Sequence, residues 1–103
     1  MEKVFIVQFD WSTPDAGGID LYAFNDYDKA YDKFKELISD EMNTDMSWVG
    51  DIEFDDDGYP LDDHYEFDCE DNNSCESEVW WHITDKSNWY QHSFIDLRVL
   101  EVL

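Results

Sequence analysis

Positive charge is scarce in this chain. Lys and Arg together number six in 103 residues, against 27 Asp and Glu, for a formal net charge of -21 at pH 7. A surface that negative repels phosphate backbones and anionic lipids, so direct binding to nucleic acid or to a membrane is not expected. Long apolar runs are missing as well. No eighteen consecutive apolar residues occur, and Met1 to Gln8 has neither the basic start nor the long apolar core of a signal peptide. The cytosol is the expected compartment, with the chain's two cysteines, Cys69 and Cys75, as reduced thiols.

Signatures of catalysis are also absent. The sequence contains no G-x-x-x-x-G-K-[ST], no G-x-G-x-x-G and no G-x-S-x-G. Aligning Gly58 with the glycine of a calcium loop puts Glu53, Asp55 and Asp57 at ligand positions, but His64 then falls where the bidentate Glu belongs. Cys69 and Cys75 stand wider apart than paired zinc ligands, and no second cysteine pair joins them with His64, His82 or His92. The expectation is a protein that is not an enzyme and carries no cofactor and no metal.

What the chain has is an acidic block. From Glu36 to Asp85, fifty residues carry eighteen Asp or Glu and not one Lys or Arg. Such a run is most often a solvated face. It also costs stability by self-repulsion, and the eighteen aromatic residues, five of them Trp, exceed what so small a core can hide. Aromatics left at the surface beside a strong field fit a protein-docking face better than a solubility device. The candidate partner-binding residues are Glu53, Asp55, Asp56, Asp57, Asp62, Asp63, Glu66, Asp68, Glu70, Asp71, Glu76 and Glu78, with Tyr65 and Trp80 as aromatic anchors. Glu53/Asp55/Asp57 and Glu66/Asp68/Glu70 alternate, so on extended backbone each trio makes a row with carboxylates about 6.6 Å apart, twice the rise of a strand. Two such rows side by side form a ladder of charge, as duplex DNA does. The natural partner is a strongly basic protein.

The fold is legible in outline. Val4 to Trp11 is apolar on both faces and predicts an interior strand; Ser12 to Gly18 is a loop, and Ile19 to Phe24 is the return strand. Asn25 is the expected N-cap of a helix over residues 26–42, with an apolar stripe of Tyr27, Ala30, Tyr31, Phe34, Leu37, Ile38 and Met42. Trp48, Ile52 and Phe54 suggest a short strand, Tyr65 and Phe67 another, with Asp56 to Pro60 as the turn between them. Val79 to Thr84 and Ser93 to Val102 form a last hairpin; the apolar phase slips after Val99, which predicts a bulge there. These elements read as a single α+β domain over residues 1–103, order β-β-α-β-β-β-β, an antiparallel sheet with the helix on one face.

In size, charge, the acidic segment free of Lys and Arg, and this order of elements, the chain resembles the small acidic inhibitors of phages and mobile elements, the anti-CRISPR and anti-restriction proteins. The resemblance implies a rigid DNA mimic acting in the host-cell cytosol. Its carboxylates would occupy the Arg/Lys groove of a nuclease, most directly the arginines with which an RNA-guided CRISPR-Cas enzyme reads its PAM. Two other readings share the physics: an immunity or antitoxin protein neutralising a basic toxin, and an acidic interaction domain that inhibits nothing.

Overall fold

The computed structural model describes residues 2–43, 45, 47–71 and 78–102. Five strands, β1 (Glu2–Ser12), β2 (Gly17–Phe24), β3 (Tyr65–Glu70), β4 (Val79–Asp85) and β5 (Asn88–Val102), form one antiparallel sheet in the order β2-β1-β5-β4-β3. One helix, α1 (Tyr27–Asn43), crosses one face. The architecture is α+β, as expected, with one strand fewer than the sequence suggested.

β1 is an interior strand, flanked by β2 and β5, but only its Phe5 and Val7 face is covered, by α1, while Val4, Ile6, Gln8 and Asp10 look onto the other side. Phe5 and Val7 point at the helix together with Ile95 and Leu97 of β5 and Val79, Trp81 and Ile83 of β4, and all are buried. Against them α1 presents Tyr27, Ala30, Phe34, Leu37 and Ile38, the expected stripe, with Tyr31 and Met42 half-buried at its margins. The helix starts one residue later than predicted. Asp26, not Asn25, is the cap, its Oδ1 accepting the Asp28 backbone N–H at 2.9 Å, which also places negative charge at the positive end of the helix dipole.

The stretch after the helix departs most from expectation. No strand forms at Trp48 to Phe54. Ser47 accepts the Val49 N–H on its hydroxyl and starts a 3-10 turn, Trp48–Asp51, which buries Val49 and then Ile52. Phe54 meets Pro60 in an isolated bridge, and the chain reverses between them through Gly58 at φ 86°, a left-handed conformation that glycine adopts without strain. This loop lies on the helix side, where Phe54 and Tyr59 pack edge-on against Phe67 of β3.

The bulge expected near Val99 is absent. β5 pairs with β1 in unbroken register from Ser12 opposite His92 to Glu2 opposite Val102. Leu100 is apolar yet faces away from the helix, 53% exposed, opposite Val4 on the same open side. The register shift lies instead at the β4–β5 turn, between Thr84 and Asp85, where Trp89 and Tyr90 bulge out and are exposed.

Among the described residues no helix is long and apolar enough to cross a membrane. The molecule measures 44 × 30 × 21 Å. At 0.01 M salt the Debye length of about 30 Å spans most of that extent, so the carboxylates repel across the whole body, whereas at 0.1 M it shrinks to about 10 Å. The melting temperature is therefore expected to rise between these salt concentrations. A flat or falling value in differential scanning calorimetry would show that the repulsion is already neutralised.

Candidate partner-binding face

Strand alternation sends every second side chain away from the helix, and no described element covers that side. Cross-strand register arranges it in three rows. One runs Glu70, Trp80, Asp96, Gln8, Leu21; the next Asp68, His82, Phe94, Asp10, Ile19; the third Glu66, Thr84, His92, Ser12. The open face thus has carboxylates along its β3 border, a band of aromatic rings and imidazoles in the middle, and exposed apolar side chains on β2.

Hydrogen bonds fix the middle band. Trp80 Nε1 donates to Asp68 Oδ2 at 3.2 Å, which holds the indole against the acidic row. His82 Nε2 lies 2.9 Å from Asp96 Oδ1 and His92 Nε2 lies 3.0 Å from Asp10 Oδ1. The ring of Phe94 packs between the two imidazoles, with centroid separations of 4.5 and 4.6 Å. Asp96 and Thr84 are buried beneath this layer. A surface ordered in this way loses little side-chain freedom when a partner lands on it.

Of the two predicted carboxylate rows, one exists. Glu66, Asp68 and Glu70 are exposed on alternate positions of β3, an edge strand, with half-buried Tyr65, Phe67 and Cys69 pointing the other way. The only described Lys or Arg at a position on the open face is Arg98, two strands away on β5 opposite Ile6.

Glu53, Asp55 and Asp57 do not form the second row, because their backbone is a turn and not a strand. Asp55 Oδ1 accepts the N–H groups of Asp57 and Tyr59, each at 2.9 Å, so this carboxylate builds the loop and has less to offer a partner. Asp62 Oδ1 similarly takes the His64 N–H at 2.9 Å, and the Asp63 carbonyl accepts Lys86 Nζ at 2.8 Å. With Asp51 and Glu53, these two residues line a shallow acidic cleft of about 600 Å³. Asp56 is exposed on the loop.

Three further expectations change. Tyr65 lies on the helix side, its ring 5.7 Å from that of Trp48, and burial pushes its phenol above the ordinary value, so it anchors the core edge and not the acidic row. Glu78 is exposed but engaged, its Oε2 accepting the Val99 N–H at 3.0 Å where β4 no longer pairs with β5. Asp71 is a tether: Lys35 Nζ and Tyr31 Oη each reach it at 2.7 Å, joining β3 to the helix. Glu76 and Cys75 lie outside the described residues. Cys69 is a free thiol, pushed up by burial beside the core.

No protein-family model, no curated protein and no solved structure matches the chain. Among the described residues no group of three or more His, Cys, Asp or Glu is arranged to hold a metal ion. The sequence pointed to His82 and His92 only as possible zinc ligands and did not single out Phe94, Asp10 or Asp96, since the convergence of these five depends on the register of β1, β5 and β4.

The Asp71 tether makes a pH prediction. Burial alone would raise the Asp71 carboxyl, but the hydrogen bonds from Lys35 and Tyr31 and the Lys35 charge outweigh it and hold it below its ordinary range. Burial, then the bond to Asp71 and its charge, push Tyr31 up from 10.0 to about 12. A phenol raised on folding contributes stability that is complete below its unfolded value and is lost as pH climbs through its folded one. Between about pH 10 and 12 the wild type should therefore lose stability more steeply than Tyr31→Phe, with solvent screening keeping the difference modest. Urea midpoints of equal pH slope in the two proteins would show that the hydroxyl is not so engaged.

Proposed function

We propose that this chain is an acidic DNA mimic that inhibits a basic nucleic-acid-binding enzyme by docking its open sheet face into the groove where that enzyme holds DNA. The observation that carries the proposal is the exposed row Glu66, Asp68, Glu70 on an edge strand, with Trp80 fixed beside it. Carboxylates at strand spacing offer guanidinium forks the same bidentate acceptors that phosphates and guanine edges offer. The Trp80, His82 and Phe94 band supplies the aromatic centre that interfaces use for most of their binding energy. An RNA-guided nuclease that reads its PAM through arginines is the partner this chemistry fits best.

The test is a gel shift with purified PAM-reading nucleases and labelled duplex DNA, with this protein added at 0.05 and 0.2 M salt. Displacement of DNA in proportion to added protein, weaker at the higher salt, supports the proposal. A nuclease that holds DNA and this protein together would refute mimicry. Tight binding to a basic toxin, with every nuclease ignored, would assign the chain to the immunity class instead.

A further inference from the structure

A second feature lies on the helix side, at the end of the sheet where β1 finishes and β5 begins, and it stands independently of the mimic proposal. A cleft of about 310 Å³ opens between Phe9 and Trp11 of β1, Trp48 of the 3-10 turn and Glu41 near the end of α1. Its volume sits at the small end of ligand sites, roughly 300 Å³ upward, which suits one side-chain-sized group. Three of its walls are aromatic. Its floor chemistry is a single half-buried carboxylate: Glu41 Oε1 accepts the Ser93 hydroxyl at 3.1 Å, and Ser47 adds a second hydroxyl hydrogen bond. A carboxylate has about four lone-pair sites, so two remain for a donor in the cleft.

Among the described residues no Lys or Arg pairs with Glu41, although burial is the largest influence on it and works against its charge. A partly desolvated anion without a cation gains from one. The walls decide which cation. A metal ion would want several free oxygen or nitrogen ligands. Beside Glu41 the cleft offers Thr13, bonded to the Ala16 carbonyl, Ser47, bonded to Glu41, and His92, held by Asp10, and among the described residues no group of three His, Cys, Asp or Glu is arranged for a metal. A guanidinium is planar and weakly hydrated, stacks on aromatic faces and presents paired N–H donors to a carboxylate. His92, also at this cleft, has its ring nitrogen 3.0 Å from Asp10, so it is already partnered.

We infer that this cleft is a receptor for one guanidinium group, carried on a chain the length of an arginine side chain, with Glu41 accepting its N–H groups and the Phe9, Trp11 and Trp48 rings enclosing its plane. The probe is N-acetyl-arginine methylamide, a monocation, titrated at 0.15 M salt while the indole N–H signals of Trp11 and Trp48 are followed by two-dimensional NMR. The neutral isostere N-acetyl-citrulline methylamide and the ammonium analogue N-acetyl-lysine methylamide form the other two arms. The expected result is a saturable shift of both indoles by the arginine compound, at least tenfold weaker binding of the lysine compound and none of citrulline. Glu41→Gln should lose the arginine response, whereas Asp32→Asn, exposed on α1 and outside this cleft, should keep it. Citrulline binding as well as arginine, no saturable shift in the wild type, or an unchanged response in a folded Glu41→Gln would each overturn the assignment. Discrimination between arginine and citrulline is read on the wild type, so the test holds even if Glu41→Gln does not fold.

Discussion

Replacing Glu66, Asp68 and Glu70 together by lysine is expected to weaken binding to a DNA-handling nuclease severely, while the same change at Asp32, Glu36 and Asp40 leaves it largely intact. Both variants shift the net charge equally, so any difference between them reports place and not total charge. The β3 trio sits on the open face beside Trp80, whereas Asp32, Glu36 and Asp40 are exposed on α1, among Lys29, Lys33 and Lys35. Each carboxylate that meets a desolvated arginine is worth about 2–5 kcal/mol when its partner is stranded, and rim charges far less. Three losses of that size weaken a nanomolar complex at least about ten-thousandfold, to tens of micromolar or beyond, which isothermal calorimetry would record. Circular dichroism checks that both variants fold. An essential helix trio with a dispensable β3 trio would move the binding face to the other side of the molecule.

A pair of apolar substitutions should separate by several kcal/mol. Phe34 is fully buried, its ring 6.1 Å from Tyr31 within the layer between α1 and the sheet. Phe34→Ala removes a large side chain and leaves a cavity, at a cost of about 3–5 kcal/mol. Against a total stability of about 5–15 kcal/mol, that leaves the fold marginal. Leu100→Ala, on the uncovered face, should stay within about 0.5 kcal/mol. Urea denaturation measures both. A large loss at Leu100 would mean that β5 bulges at Val99 after all and turns this side chain into the core.

That contrast shows where the sequence could be read and where it could not. The α1 stripe was legible because 3.6-residue spacing, an acidic first turn and the absence of a competing pattern agree from Tyr27 to Met42. β1 was legible as interior because Phe5 and Val7 alternate with Val4 and Ile6, leaving neither face polar. Leu100 misled for a related reason: alternation shows that a side is apolar, not that anything lies over it, and here Leu100, Val4, Ile19 and Leu21 all share the uncovered side. Between Trp48 and Asp63 the decisive interactions are side chain to backbone. Asp55 gathers two N–H groups and Ser47 starts a 3-10 turn, and these local bonds compete with strand pairing in a way that hydrophobic spacing does not record. Half of the candidate site followed from alternation alone, as in Glu66, Asp68 and Glu70. The other half needed pairing: His82 meets Phe94, and Phe94 meets Asp10, only once β4, β5 and β1 are side by side.

The strand order also governs how the chain comes to be folded. β1 and β2 close as a local hairpin, and β3, β4 and β5 follow one another as a meander, yet the seam joining these halves is β1 against β5, where Val7 meets Leu97. That contact closes a loop of nearly the whole described chain, an entropic cost that precedes the reward of burying Phe5, Val7, Ile95 and Leu97 against α1. On a ribosome the first hairpin and α1 emerge with half of their sheet still missing, and the hydrophobic layer is completed only when β5 arrives. Completion of the layer between α1 and the sheet therefore waits on β5. A chain stopped short of β5 forfeits the central seam of the sheet, and with it the register that brings His82, Phe94 and Asp10 together.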